Sequence, residues 1–102
     1  MNKYRAIPTT IDGIIFASKR EAARYAELKI MQKAWLITDL QLQPTYQIVI
    51  NGIKVCKVKL DFSYSKNGAL IVEDVKGVDT PVSRLKRKLV KAMHGVDVVI
   101  VK

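Results

Sequence analysis

The chain predicts a mixed α/β (α+β) domain with the element order α, β, β, β, α, β. Three observations carry that expectation. A helix-forming stretch follows Ser18, two Asn-Gly dipeptides at 51–52 and 67–68 lie between β-branched, alternating runs, and a second helix-forming stretch follows Thr80-Pro81. With 102 residues, 49% of them hydrophobic, the chain can bury a modest core, and a single domain over 1–102 is expected.

Residues 1–12 are basic and irregular, punctuated by Pro8 and Asp12-Gly13, and read as a loosely held arm. Ser18 then opens a helix expected over 18–33, in which Ala22, Ala23, Ala26, Ile30 and Met31 supply the candidate buried stripe. From Trp35 to Gln43-Pro44 the composition suggests a polar connection. Beyond it Tyr46, Ile48 and Ile50 share one strand face, and Asn51-Gly52 turns the chain into a second strand running from Ile53 to Tyr64. Asn67-Gly68 turns it again into Ala69–Lys76, so the middle of the chain is expected to be a three-stranded antiparallel meander. Thr80-Pro81 has the chemistry of a cap followed by a first-turn proline, and Gly95 stands just past the expected helix end at Met93. Leu85, Leu89, Ala92 and Met93 are its apolar stripe. Val96 to Val101 reads as a short buried strand, which leaves two helices flanking the meander and a C-terminal strand.

Eighteen Lys and Arg against nine Asp and Glu give a net charge of +9, which points to a polyanion, nucleic acid first, with an acidic lipid surface as the alternative. No apolar run is long enough to span a membrane and no signal peptide is visible, so an intracellular protein is expected. One cysteine, Cys56, and one histidine, His94, exclude an internal disulfide and the usual structural zinc sites, so any metal must take oxygen ligands.

Chemistry concentrates at the second Asn-Gly hairpin. A two-residue turn pairs Lys66 with Ala69 and Phe62 with Glu73, which sets Asp61 opposite Asp74 and Lys59 opposite Lys76. Two carboxylates on a non-hydrogen-bonded pair, with Cβ atoms about 5 Å apart, repel by about 3 kcal/mol at an effective dielectric of about 20. A hard divalent cation relieves that best, because Mg²⁺ uses one or two protein carboxylates and the oxygens of a substrate phosphate. Lys76, on the same face, then orients or deprotonates an attacking water or stabilises charge on the phosphate. The competing reading is a solvated strand face in which Lys59 or Lys76 neutralises the pair. Glu21 also has two readings: the closing residue of a Ser18-x-x-Glu21 capping box, or a third metal or water ligand at the start of the helix.

Arg84, Lys86, Arg87, Lys88 and Lys91 place five cations within eight residues, with no acidic residue between Asp79 and Asp97 to pair them, which suits phosphate contacts. Lys3, Arg5, Lys19, Arg20 and Arg24 extend that expected surface. His94 is read as a partner of the helix dipole, and Trp35 and Tyr46 as core or dimer-interface residues.

These residues resemble the PD-(D/E)xK nuclease superfamily, whose restriction-endonuclease-like core runs α, β, β, β, α, β with Asp on the second strand and Asp/Glu-x-Lys on the third. More narrowly, Asp12-Gly13 to Phe16, Ser18-Lys19-Arg20-Glu21-Ala22, Gln43-Pro44, Asp61-Phe62 and Glu73-Asp74-Val75-Lys76-Gly77 are similar to small phage proteins related to phage endonuclease I, a family that resolves branched DNA. The resemblance covers almost the whole chain. It implies that Asp61 and Asp74 bind Mg²⁺ or Mn²⁺, that Lys76 serves the attacking water and that Glu21 completes the site. It also implies a homodimeric Holliday junction resolvase in a bacterial host, encoded by phage or prophage. Ala17 departs from the pattern, which has an acidic residue there. The alternatives are a less structure-selective nicking or recombination nuclease and a non-catalytic module that binds nucleic acid through its basic surface.

Overall fold

Two helices cover the two faces of a four-stranded sheet in the computed structural model, which describes residues 7–102. The architecture is mixed α+β. Its elements are β1 (Thr9–Ile11), β2 (Ile14–Phe16), α1 (Lys19–Lys33), β3 (Thr38–Leu42), β4 (Thr45–Ile50), β5 (Ile53–Lys59), β6 (Phe62–Lys66), β7 (Ala69–Val75), α2 (Pro81–His94) and β8 (Val98–Val101). The main sheet has the order β3-β6-β7-β8, antiparallel except for the parallel β7-β8 pair that α2 connects, while β1-β2 and β4-β5 form two-stranded ribbons. Taken with its two helices, the main sheet runs α1, β3, β6, β7, α2, β8 along the chain. No helix among the described residues is long and apolar enough to cross a membrane.

Both Asn-Gly turns form as expected. Asn51 and Gly52, and Asn67 and Gly68, all take positive φ, the type I′ geometry whose twist matches that of the strands it joins. The register of β6 on β7 is the anticipated one from Lys66↔Ala69 to Phe62↔Glu73. Asp12-Gly13 has the same dihedral signs and builds a third hairpin, β1-β2, so the part of the expected arm from Thr9 onward is ordered strand. Tyr25 Oη donates to Asp12 Oδ2 at 2.9 Å and ties that hairpin to α1. Residues 1–6 lie outside the described residues.

Three other expectations are corrected. The stretch 38–42 is β3 rather than a connection, because it has β6 to pair with: Leu42 lies opposite Phe62 and Gln41 opposite Ser63. The strand expected from Ile53 to Tyr64 breaks at Leu60-Asp61, where its neighbour also turns: Gln43 takes φ 53 and Pro44 follows. A long hairpin is thereby folded at a corner, and β4-β5 leaves the main sheet to pack on α2 through Ile48 and Val58. β8 is an edge strand with Val99 47% exposed, not a buried one.

Each helix buries a different arc from the one expected. On α1 the buried residues are Ala22, Tyr25 and Leu28, while Ala23 and Ile30 face solvent. The reason is aromatic packing: Phe16 lies 4.9 Å from Tyr25 between ring centroids, and Phe62 is 6.4 Å from both, which fixes the helix's rotation about its axis. On α2 only Val90 is fully buried, with Leu89 beside it, and Leu85, Ala92 and Met93 are exposed. Trp35, at φ 61 and 83% exposed, is no core residue. His94 Nε2 bonds Gln47 O at 2.8 Å and packs on Tyr46, so it fastens α2 to β4.

Candidate active site

The corner of the folded hairpin places Asp61. Leu60 N–H donates to Pro44 O at 2.9 Å, which draws Leu60 away from β7. Asp61 itself is held on both sides: its N–H donates to Glu73 O at 3.1 Å and its carbonyl accepts Gln43 N–H at 3.0 Å. The Val75 N–H therefore meets no β6 carbonyl, and it donates to Asp61 Oδ2 at 2.7 Å. The expected ladder pairs Asp61 with Asp74 and Lys59 with Lys76 are not formed, since regular pairing stops at Phe62↔Glu73 and Lys59 pairs with Thr45. The two carboxylates meet all the same, because Asp61 reaches across to the backbone that follows Asp74.

Three acidic side chains interact at this end of the sheet. Burial pushes the Asp61 carboxyl up to about 7; the Val75 N–H opposes the rise, while the carboxyls of Asp74 and Glu21 add to it. Glu21 is raised too, chiefly by burial and further by the charge of Asp74, while its contact with Asp61 and the Ala17 N–H work in the opposite direction. Only half of the capping box forms. Ser18 Oγ accepts the Glu21 N–H at 3.1 Å, while the Glu21 side chain is engaged by Asp61 and Ala17. Lys76 Nζ lies 3.3 Å from Asp74 Oδ2, so it offsets the charge of Asp74, and Asp61 has no ion-pair partner among the described residues. Among the described residues no three Asp, Glu, His or Cys side chains are already arranged as a metal cage. The donor set nevertheless suits a hard cation that keeps most of its waters and takes one or two carboxylates.

What positions this cluster was not anticipated. Glu73, 2% exposed, receives Arg24 Nε at 2.8 Å and Arg24 Nη2 at 2.6 Å on its two oxygens, and the Tyr64 hydroxyl donates to it as well. Burial alone would raise the Glu73 carboxyl, but these bonds outweigh it and hold the group below the usual carboxylate range. Arg24, expected on the phosphate-binding surface, is therefore a clamp between α1 and β7. It fixes Glu21, one turn earlier on α1, relative to Asp74, the residue after Glu73. A charge in the apolar row of Phe62, Tyr64 and Ile71 was the sequence signal that a buried partner was required.

The expected basic surface divides. Arg87 bonds Asp79 through Nη1 at 2.9 Å and Nη2 at 2.7 Å, and Lys91 Nζ lies 2.8 Å from Asp97, so these two are paired despite the gap in acidic residues between them. Arg84 donates to Asp79 O, and Arg20 to Lys102 O while lying 3.6 Å from Glu27. Lys19, Lys86 and Lys88 are exposed and make no ion pair among the described residues. Arg84, Lys88 and Lys91 line a cleft toward β8, whereas Lys86 faces the carboxylate end of the sheet. Lys3 and Arg5 lie outside the described residues.

No curated protein and no solved structure matches the chain. A family model described as "Protein of unknown function (DUF1064)" matches residues 1–99, and the chain belongs to that family.

Proposed function

We propose that the protein is a metal-dependent endonuclease that hydrolyses DNA phosphodiester bonds. Its proposed substrate is branched DNA of the Holliday junction type, cut by a homodimer inside a bacterial cell, with phage or prophage as the gene's origin. The observation that carries this reading is the meeting of Glu21, Asp61 and Asp74 at one end of the sheet, with Lys76 against Asp74. The order α1, β3, β6, β7, α2, β8 supports reading the fold as a restriction-endonuclease-like core, with β4-β5 inserted as an extra hairpin and β1-β2 preceding it.

Asp61 and Asp74 would hold Mg²⁺ or Mn²⁺, with Glu21 beside them. When bound, such an ion lowers the pKa of a coordinated water and neutralises charge on the phosphate. The chain's own residues do the rest. Lys76 sets a cation next to Asp74, where it stabilises the charge developing on a phosphate and orients the attacking water. Glu21, at the start of α1 beside Asp61, would complete the set of carboxylates around the ion and its waters.

The test is incubation of a labelled four-way junction and a matched linear duplex with the protein, in Mg²⁺ or in EDTA, beside Asp74→Ala. Cleavage of the junction in Mg²⁺ alone, lost in Asp74→Ala with binding kept, is the expected result. Equal cutting of the duplex would put a less selective nuclease in its place. Binding without any cleavage would leave only a nucleic-acid-binding module.

A further inference from the structure

The carboxylate cluster sits between two clefts of opposite character. Toward α1 and β2 lies a cavity of about 240 Å³ lined by Ile14, Ile15, Phe16, Leu42 and Gln43 around Glu21 and Asp61, with no cation among the described residues of its wall. Toward α2 lies a cavity of about 210 Å³ whose wall contains Lys59, Lys76, Lys86 and Arg87; Lys76 pairs with Asp74 and Arg87 with Asp79, which leaves Lys59 and Lys86 as its two cations without an ion pair among the described residues. A surplus of cations around one small opening is an unfavourable arrangement that an anion relieves.

We infer that the cleft between β5, β7 and the first turn of α2 is a second phosphate subsite, which holds the phosphodiester next to the one that is cut. The inference deepens the nuclease reading and rests on it for the word "cut"; the anion site itself does not need it. Lys59 and Lys86 are the binding cations, because neither makes an ion pair among the described residues. Arg87 is engaged by Asp79 and by Ser83 Oγ at 2.9 Å, so it shapes the wall and orients Ser83. Thr80 Oγ1 accepts the Ser83 N–H at 3.1 Å and its hydroxyl hydrogen has no acceptor among the described residues, so it is available to an oxyanion, while the Ser83 hydroxyl is already engaged by Arg87 and Asp79. A cavity of about 210 Å³ accommodates one phosphate with its waters. Asp74 and Lys76 border both the carboxylate cluster and this cleft. A strand that lays one phosphate at the carboxylates therefore brings its neighbour toward Lys59 and Lys86, and the cleft on the other side has no cation among its described residues to compete.

The experiment measures binding of a fluorescent DNA junction in EDTA, over a range of salt, by the wild type, Lys59→Gln, Lys86→Gln, the double variant and, as a control, Lys33→Gln on the exposed end of α1. Each cleft variant is expected to weaken binding several-fold and to lower the slope of log K against log salt by about one, and the control to do neither. Inorganic phosphate should raise the melting temperature of the wild type and not that of the double variant. Unchanged slopes in both single variants with intact melting curves, or no DNA binding by the wild type, overturn the inference. Cleavage in Mg²⁺ is scored separately. Altered slopes without cleavage would remove the nuclease reading and keep the anion site, and cleavage with unaltered slopes would do the reverse.

Discussion

Asp61 Oδ2 accepts the Val75 N–H at 2.7 Å, replacing the strand carbonyl that the corner at Leu60 carries away. That bond favours the ionised carboxylate, yet burial and the neighbouring carboxyls prevail and raise the group from 3.8 to about 7. Three acidic groups held together, with no counter-charge on Asp61 among the described residues, should leave a signature in stability.

The folded protein holds the Asp61 proton more tightly than the unfolded chain. Its contribution to stability is therefore complete below about pH 3.8 and is lost as pH rises through about 7. Glu73, held below its ordinary value, contributes in the opposite sense and sets the acid limit of the usable window. In EDTA the protein should melt higher at about pH 5 than at about pH 8, with at most about 3 kcal/mol at stake between those two pH values and less after solvent screening of a partly exposed group. Asp61→Asn keeps an oxygen for Val75, so it should raise the melting temperature at the higher pH and flatten the profile. A wild-type profile already as flat as the variant's would contradict the account.

Arg24→Met strands the buried Glu73 charge. Removing one partner of such a pair costs about 3–5 kcal/mol, and a domain of this size loses about 4–8 °C in Tm per kcal/mol. The double variant Arg24→Met/Glu73→Leu should recover part of the loss, leaving the Tyr64 hydroxyl as the orphaned group. Thermal melts of the single and double variants check this; a double variant no more stable than Arg24→Met would argue that the clamp does not act as a pair.

What was legible in the sequence and what was not divides on a physical line. Asn67-Gly68 sets the register from Lys66↔Ala69 to Phe62↔Glu73 by local turn chemistry, which puts Asp61, Asp74 and Lys76 at one end of the sheet even though the Asp61–Asp74 ladder pair itself does not form. Ser18 and Thr80 likewise marked both helix starts, each accepting a backbone N–H at 3.1 Å. The corner at Leu60-Asp61 escaped because it depends on a partner, Gln43-Pro44, far away in sequence. A polar β3 looked like a connection for the same reason: its strand character comes from pairing with β6. Arg24 was misplaced because its role is set by Glu73, 49 positions on.

Ser18 and Glu21 separate capping from chemistry. Ser18→Ala removes the acceptor of the Glu21 N–H and should cost about 1 kcal/mol of stability while leaving junction cleavage in place. Glu21→Gln leaves that backbone bond intact and removes a raised carboxyl, so it should melt no lower than the wild type and lose most cleavage. Parallel melting and cleavage assays decide it, and the reverse pattern would return Glu21 to a purely structural role.

On the proposed function, Mg²⁺ and Lys76 would compete for Asp74. If Asp61 and Asp74 hold the ion, Mg²⁺ should raise the melting temperature of the wild type, by an amount worth about 2.7 kcal/mol at a hundred times its Kd. Asp61→Asn and Asp74→Asn should each abolish that rise. Lys76→Met behaves differently: it withdraws the cation 3.3 Å from Asp74, so the ion should bind at least as tightly, while the charge that stabilises the reacting phosphate is lost. The expected pair of results for Lys76→Met is an undiminished thermal shift with Mg²⁺ and no cleavage. A shift lost together with cleavage would instead place Lys76 among the groups that build the site's structure, and the division of labour between the carboxylates and the lysine would have to be redrawn.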